Sequence, residues 1–175
     1  PILPLFDLDL LHTSVTGLAK HVTQFIEYKG YDNIHLLGNS LGGHVGLVYV
    51  LKTPEKVKSL ILTGSSGLFE NAMGDSYPKR GDYEYIKNKT AQTFYDPAVA
   101  TKELVDEVFE ITRNRIKVIK IIALAKSAIR NNLGEELNQI KQPTMLIWGK
   151  NDTVTPPFVA EEFHKLIPVS YTHLR

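Results

Sequence analysis

Residues 34–43 read Ile-His-Leu-Leu-Gly-Asn-Ser-Leu-Gly-Gly and join an apolar run to a glycine-rich turn. The run from Ile34 to Leu37 is too short for a helix and ends at Gly38, which favours a buried strand. The apolar stretch that follows, Leu41 to Leu51, is typical of a helix. A serine in a turn between a strand and a helix stands at the carboxyl end of the sheet, where ligands bind in α/β proteins. We therefore predict that Ser40 faces a ligand crevice.

A second strand follows this helix. Thr53-Pro54 ends the helix, because proline disfavours the helical state in the residue before it, and residues 57–63 have the composition of a strand. A strand, a helix and a strand in this order imply parallel pairing through a right-handed crossover. The pattern predicts an α/β fold, a mostly parallel sheet with helices on both faces.

Similar patterns flank this unit on both sides. Apolar residues recur at helical spacing from Val15 to Ile26, after the candidate caps Thr13 and Ser14 and before a stop at Gly30. Near the other end, residues 144–148 are a strand candidate, and residues 158–167 have the apolar periodicity of a helix. We expect Thr155 to cap that helix, with Pro156 in its first turn.

No convincing strand lies between Thr63 and Thr144, a separation far longer than an ordinary connection. We interpret residues 65–142 as a helical lid inserted between two parts of the core, residues 1–64 and 143–168. Helices are predicted near residues 104–111 and 116–129. The second carries several Arg and Lys residues, which also suit a membrane-surface or partner helix, but a lid helix with solvated charges explains it equally well, and we keep that interpretation.

The composition excludes several function classes. Twenty Lys and Arg against nineteen Asp and Glu give a net charge of +1, which argues against nucleic acid as a partner. The absence of Cys excludes thiolate metal sites and disulfides and fits a cytoplasmic protein. No apolar run is long enough to span a membrane. We expect a small-molecule substrate, no membrane, no metal and no cofactor, with the oligomeric state left open.

Three segments together resemble the α/β-hydrolase superfamily, in its single-domain form with a serine nucleophile and a lid: Gly38 to Gly43, Pro54 to Val57, and Trp148 to Asp152. The resemblance covers residues 11–168 and implies the catalytic order Ser, acid, His along the chain. After the strand ending at Thr63, where some relatives carry the acid, this chain offers only Ser65 and Ser66, with Glu70 farther on. The predicted site is Ser40 and Asp152 as catalytic residues, the Leu41 amide in the oxyanion hole, and Gly38, Asn39 and Gly42 in the elbow around the serine.

The catalytic histidine is expected outside the chain. After Asp152 the fold needs a helix, a strand and their connections, roughly 25–30 residues, which extends past Arg175. His173 comes too early and His164 faces away from the strand edge, whereas His12, His21 and His35 precede the serine. His44, four residues after Ser40, suits a packing role. The second oxyanion amide, which relatives place in a His-Gly loop, is expected before Pro1, so we interpret the chain as truncated at both ends and inactive, with an active longer parent.

The final residues have a separate interpretation. Val169 to Arg175 resemble the translation of a sequencing adapter, and we interpret them as a tail that is not native to the protein.

A serine at the elbow predicts an acyl-enzyme, and it argues against the dehalogenases and epoxide hydrolases that use a carboxylate there. Hydrolysis of a small carboxylic ester is the leading hypothesis. Asn39 is reminiscent of hydrolases that cleave carbon-carbon bonds in ring-cleavage products, and lactone or aminopeptidase-like activity also stays open. A hypothesis of another class is a non-catalytic protein that binds a small ligand on the same fold.

Overall fold

The computed structural model describes residues 2–69, 79 and 81–174. Over these residues it contains a four-stranded parallel sheet in the order β1-β2-β3-β4. The strands are β1 (Ile34–Asn39), β2 (Val57–Thr63), β3 (Thr144–Trp148) and β4 (Ser170–Leu174). This confirms the predicted α/β class with a parallel sheet. Because all four strands are parallel, their carboxyl ends meet at one edge of the sheet.

Six α-helices lie in the described part of the chain: α1 (Val15–Lys29), α2 (Leu41–Lys52), α3 (Tyr83–Ala91), α4 (Lys102–Arg113), α5 (Arg115–Arg130) and α6 (Pro157–Leu166). Ser14 caps α1 by accepting a hydrogen bond from the Gly17 amide, and Gly30 ends it in the left-handed conformation, as the sequence predicts. Helix α3 is not predicted from the sequence. This helix buries only Ile86 and Thr90, so it lacks the apolar stripe on which such predictions depend.

The core lies between the sheet and its helices. Helix α2 packs against β1, whereas α6 packs against β3 and β4. Leu62 of β2 and Leu146 of β3 are fully buried and are register partners of each other. Trp148 and Phe163 join β3 to α6, with their ring centroids 5.8 Å apart. The described residues between β2 and β3 form helices and no strand, and their action as a lid stays a prediction.

The predicted cap of α6 is wrong by one residue. Pro156 is the N-cap residue and Pro157 the first helical residue, and no side chain caps this end. The Thr155 hydroxyl instead donates to the Asp152 carboxylate at 3.1 Å, so this hydroxyl does not cap the helix. Proline at the first helical position needs no amide partner, so the helix begins without a polar cap.

Residues of the presumed tail form β4. Ser170 pairs with Thr144 and Leu174 with Trp148 in parallel register. Strand pairing uses backbone groups, which any strand-forming sequence supplies, so the origin of residues 169–175 stays a prediction. Within the described residues, no helix is long and apolar enough to cross a membrane.

Candidate active site

Ser40 follows the last residue of β1 and precedes the first residue of α2. Its backbone has φ 49° and ψ −120°, a conformation that costs a residue with a side chain about 1–3 kcal/mol. Ser40 occupies the N-cap position, yet its side chain makes no capping hydrogen bond, and the residue is exposed. The sharp turn therefore presents a hydroxyl that the helix does not use.

The elbow needs glycine at two positions. A Cβ at Gly38 would lie 2.5 Å from the Gly42 carbonyl oxygen, so no side chain fits there. A Cβ at Gly42 would meet nothing within 4 Å, so no close contact requires glycine at that position. The second close approach is at Gly43, where a Cβ would lie 2.2 Å from the Oγ of Ser65. The start of α2 can thus pack directly against the segment that follows β2.

The amino end of α2 lies beside the serine. The Ser40 carbonyl accepts hydrogen bonds from the Gly43 amide at 3.0 Å and from the Ser66 amide at 3.2 Å, which joins the elbow to the segment after β2. Leu41 is the first residue of α2, so no helical carbonyl precedes it to accept from its amide. The first amides of a helix carry partial positive charge and favour an anion. This geometry suits the predicted oxyanion role of Leu41.

Asn39 joins the elbow to the end of β2. Its Nδ2 group donates to the Thr63 carbonyl at 3.0 Å and to the Thr63 hydroxyl at 2.9 Å. These two hydrogen bonds hold the Asn39 side chain against the end of β2.

Asp152 lies in the loop after β3 and is held from three directions. Its Oδ1 accepts from the amides of Val154 at 2.9 Å and Thr155 at 2.8 Å, and its Oδ2 accepts from the Thr155 hydroxyl. The buried Trp148 indole in turn donates to the Thr155 carbonyl at 2.8 Å. These bonds fit both the acid role and the alternative of a plain turn residue. They also keep the carboxylate in one orientation.

Gly64 makes room for this carboxylate. It follows the last residue of β2 with φ +47°, and a Cβ there would lie 3.2 Å from Oδ2 of Asp152 and 3.2 Å from the Thr155 hydroxyl. A side chain at this position would crowd both atoms. The sequence does not predict this role of Gly64, because the contact forms only between the ends of two strands that are distant in the chain.

Ser40 and Asp152 line one cavity of about 670 Å³. Asn39 and Gly64 contribute to its wall, and residues 149–155 form another side. Residues 92–95, which follow α3, complete the lining with two aromatic side chains, Phe94 and Tyr95. Residues 92–95 are not predicted as site residues from the sequence, since neither periodicity nor a motif marks them. Ser40 and Asp152 thus line the same cavity, although they are 112 positions apart in the chain.

The histidines of the described chain lie elsewhere, and none lines this cavity. His44 is fully buried in α2, and its Nε2 lies 2.8 Å from the Asn131 carbonyl oxygen. Burial lowers the pKa of His44, although the hydrogen bond to Asn131 opposes that shift. The neutral ring donates to Asn131, in agreement with the expected packing role. His164 contacts the Ser170 hydroxyl, and His35 contacts Ser59.

Other site hypotheses gain no support from the geometry. Ser65 and Ser66 are buried after β2, and the Ser65 hydroxyl donates to the Ser66 carbonyl. Glu70, the more distant alternative acid, lies outside the described residues. Within residues 2–69, 79 and 81–174, no cluster of three His, Asp or Glu residues is arranged to hold a metal ion.

Comparison with known proteins gives the family. A family model described as alpha/beta hydrolase fold matches residues 12–102. The 2-hydroxy-6-oxononadienedioate/2-hydroxy-6-oxononatrienedioate hydrolase of Escherichia coli (strain K12) is 32% identical over 151 residues, which cover 79% of this chain and 52% of the relative. Monoacylglycerol lipase abhd6-B of Xenopus laevis is 31% identical, over 81% of this chain and 48% of its own length. The chain spans about half the length of these curated relatives.

Solved structures of α/β hydrolases share the fold of this chain. An alpha/beta hydrolase enzyme, MGS-MChE2, from a sediment metagenome of the lagoon of Mar Chica, Morocco, superposes with a TM-score of 0.77 and 42% identity. It covers 100% of this chain, which spans 65% of that structure. A meta-cleavage product hydrolase of Pseudomonas fluorescens IP01 shares the fold at 21% identity, with a TM-score of 0.75 over 92% of this chain and 62% of its own. The chain belongs to the α/β-hydrolase family.

Proposed function

We propose that this chain carries the nucleophile and the acid of a serine hydrolase that acts on a small carboxylic ester through an acyl-enzyme. The observation that carries the proposal is that Ser40, on its strained turn, and Asp152, in its hydrogen-bonded loop, line the same cavity. Relatives that are hydrolases support the reaction class.

In the proposed reaction Ser40 Oγ attacks the ester carbonyl, and its proton passes to a base. The carbonyl oxygen becomes an oxyanion beside the amino end of α2, where the Leu41 amide donates to it. The alcohol leaves with a proton from the same base, and water then hydrolyses the acyl-enzyme. Asp152 orients the base and stabilises its charged form, which requires a carboxylate fixed in position.

The base itself is proposed to lie after β4. Leu174 ends β4 beside Trp148, the last residue of β3, so the residues that follow β4 continue from the same sheet edge as the Asp152 loop. His173 lies within β4, opposite Ile147, rather than in the loop beyond the strand. We therefore propose that a histidine beyond Arg175 completes the triad, and that the chain without it is inactive. A missing base is expected to cost on the order of a millionfold in turnover.

The test compares p-nitrophenyl acetate hydrolysis by residues 1–175 and by a version extended at both ends. We expect turnover only from the extended version, with Ser40→Ala abolishing it and Asp152→Asn reducing it by a factor on the order of 10⁴. Gly42→Ala is the matched control, since it changes the same turn where a Cβ has room. Turnover that depends on Ser40 in the short chain would refute the missing base. A silent, folded extended version would refute the esterase proposal.

Hydrolysis of a carbon-carbon bond is the second candidate. It is favoured by the E. coli relative, which is named as a hydrolase of the dienoic and trienoic acids 2-hydroxy-6-oxononadienedioate and 2-hydroxy-6-oxononatrienedioate, and by the Asn39 side chain held at the cavity wall. A parallel assay of the extended version with dienone-type acids and simple esters separates the two. A larger kcat/KM for the dienone acids would replace the ester proposal while keeping Ser40 as the nucleophile.

A further inference from the structure

Helix α5 is unusual in charge. Its sequence, Arg-Ile-Lys-Val-Ile-Lys-Ile-Ile-Ala-Leu-Ala-Lys-Ser-Ala-Ile-Arg, holds basic residues and no acidic residue. The exposed cations are Arg115, Lys126 and Arg130. None of the three takes part in an ion pair with any residue of the described chain. Among the residues that the structure describes, no ion pair therefore offsets the charge of these three cations.

Isoleucines lie between these cations. Ile116 is 64% exposed, Ile119 41% and Ile129 54%. At 100° per residue, the three isoleucines and the three cations share one arc of roughly 140°, which we call the α5 face. The sequence interpretation assigned the charges to solvent. Solvation explains the charges, but it does not explain exposed isoleucines interleaved with them.

The other faces of α5 pack against the rest of the protein, so the helix cannot rotate about its axis to bury the α5 face. Val118, Leu124 and Ala128 are buried. The Ser127 hydroxyl accepts from the Val15 amide at 3.0 Å, which fixes the helix against the start of α1. On the neighbouring flank, Lys120 donates to the Phe6 carbonyl at 2.6 Å. These contacts fix the rotation of the helix about its axis.

Charge decides which partner suits the α5 face. A second copy on a two-fold axis would bring the same cations together, which costs free energy. A further segment of this protein would have to bury three cations, which is unfavourable unless that segment supplied matching acids. An anionic bilayer attracts the cations and accepts the isoleucines into its acyl boundary, while Arg and Lys keep their charged ends among the headgroups.

We propose that the α5 face docks on the surface of membranes containing anionic lipids. The contact is peripheral, so it needs no membrane-spanning helix, and it replaces the expectation from the sequence that the protein has no membrane partner. It is also independent of the chemistry proposed at Ser40. Binding requires the cations and the isoleucines together, because electrostatic attraction brings the helix to the surface and apolar burial retains it.

The experiment is co-sedimentation of the chain with vesicles of phosphatidylcholine alone and of phosphatidylcholine mixed with phosphatidylglycerol. We expect binding to the mixed vesicles only, and its loss at high salt. Replacing Arg115, Lys126 and Arg130 by Gln should weaken partitioning on the order of 100-fold. Replacing Ile119 and Ile129 by Ser should weaken it roughly tenfold. Each variant is first checked for an unchanged thermal melt.

The matched control replaces three exposed lysines elsewhere, Lys20, Lys52 and Lys58, by Gln, which changes the net charge equally. We expect it to keep most of the binding. Equal loss in the control would show attraction by net charge alone and overturn the proposal. The proposal would also be overturned if the unmodified chain did not bind the mixed vesicles. It would be overturned as well if residues 1–175 bound these vesicles and an extended version did not. If the chain bound an acidic protein but did not bind vesicles, that result would also overturn the proposal.

Discussion

Replacing Trp148 by Phe tests how the Asp152 loop is held. The indole is 1% exposed, and its N–H donates to the Thr155 carbonyl at 2.8 Å. Thr155 in turn donates twice to Asp152. Phe keeps an aromatic ring against Phe163 but has no N–H group to donate a hydrogen bond. The Thr155 carbonyl therefore loses this donor in a buried position. The substitution thus removes one link between the core and the predicted acid.

The loss of stability expected for Trp148→Phe has two contributions. Leaving a buried carbonyl without its partner costs about 1–3 kcal/mol, and the smaller ring loses about 1 kcal/mol of apolar burial. We expect the free energy of unfolding to fall by about 2–4 kcal/mol, a large part of the 5–15 kcal/mol typical of a domain. Urea denaturation followed by circular dichroism measures this fall.

The control for this prediction is Phe163→Leu, which removes the other ring of the pair without touching a hydrogen bond. Both variants should lose stability, but only Trp148→Phe should speed hydrogen exchange selectively at the Val154 and Thr155 amides. A loss below about 0.5 kcal/mol, or unchanged exchange at those two amides, would refute the proposed role of the indole.

Three further predictions concern the elbow and its helix. Gly43→Ala should destabilise the fold by about 1–3 kcal/mol, whereas Gly42→Ala should be nearly neutral, because only the Cβ at position 43 meets another side chain. Equal melting temperatures of the two variants would contradict this prediction. Ser40→Gly should raise the free energy of unfolding by about 1 kcal/mol by relieving the positive φ, and an unchanged urea midpoint would count against strain at the nucleophile. The lowered pKa of buried His44 means that the unfolded state binds the proton more readily, so stability should fall as the pH drops below the ordinary value of 6.5, by up to about 1.4 kcal/mol per pH unit. His44→Gln should flatten that pH profile, and an equally steep profile in the variant would assign the effect to other groups.

Much of the fold was predictable because its signals are local. Strands β1, β2 and β3 are short apolar runs next to glycine or proline, and Ser14 and Gly30 mark the ends of α1 as capping residues do. Predictions failed where that local signal is absent or ambiguous. Helix α3 lacks an apolar stripe, and the cap of α6 moved to Pro156 because Thr155 is engaged by Asp152.

Within the site, the sequence determined the residue types and their places at strand ends. Gly-Asn-Ser-Leu-Gly after a strand predicts an exposed serine, and Asp152 after another strand predicts a carboxylate at the same edge, because parallel strands share that edge. That Ser40 and Asp152 line one cavity is a property of the tertiary structure alone. So are the requirement for glycine at Gly43 rather than Gly42 and the link from Trp148 to Asp152.

The physical reason is the range of the interactions. Strand and helix signals depend on neighbours a few residues away, whereas a hydrogen bond to a distant loop or a van der Waals contact between two segments depends on how the sheet brings them together. The exposure of the α5 isoleucines is of the same kind. Sequence gives the periodicity of that helix, but only packing decides which of its faces the protein covers and which it leaves open.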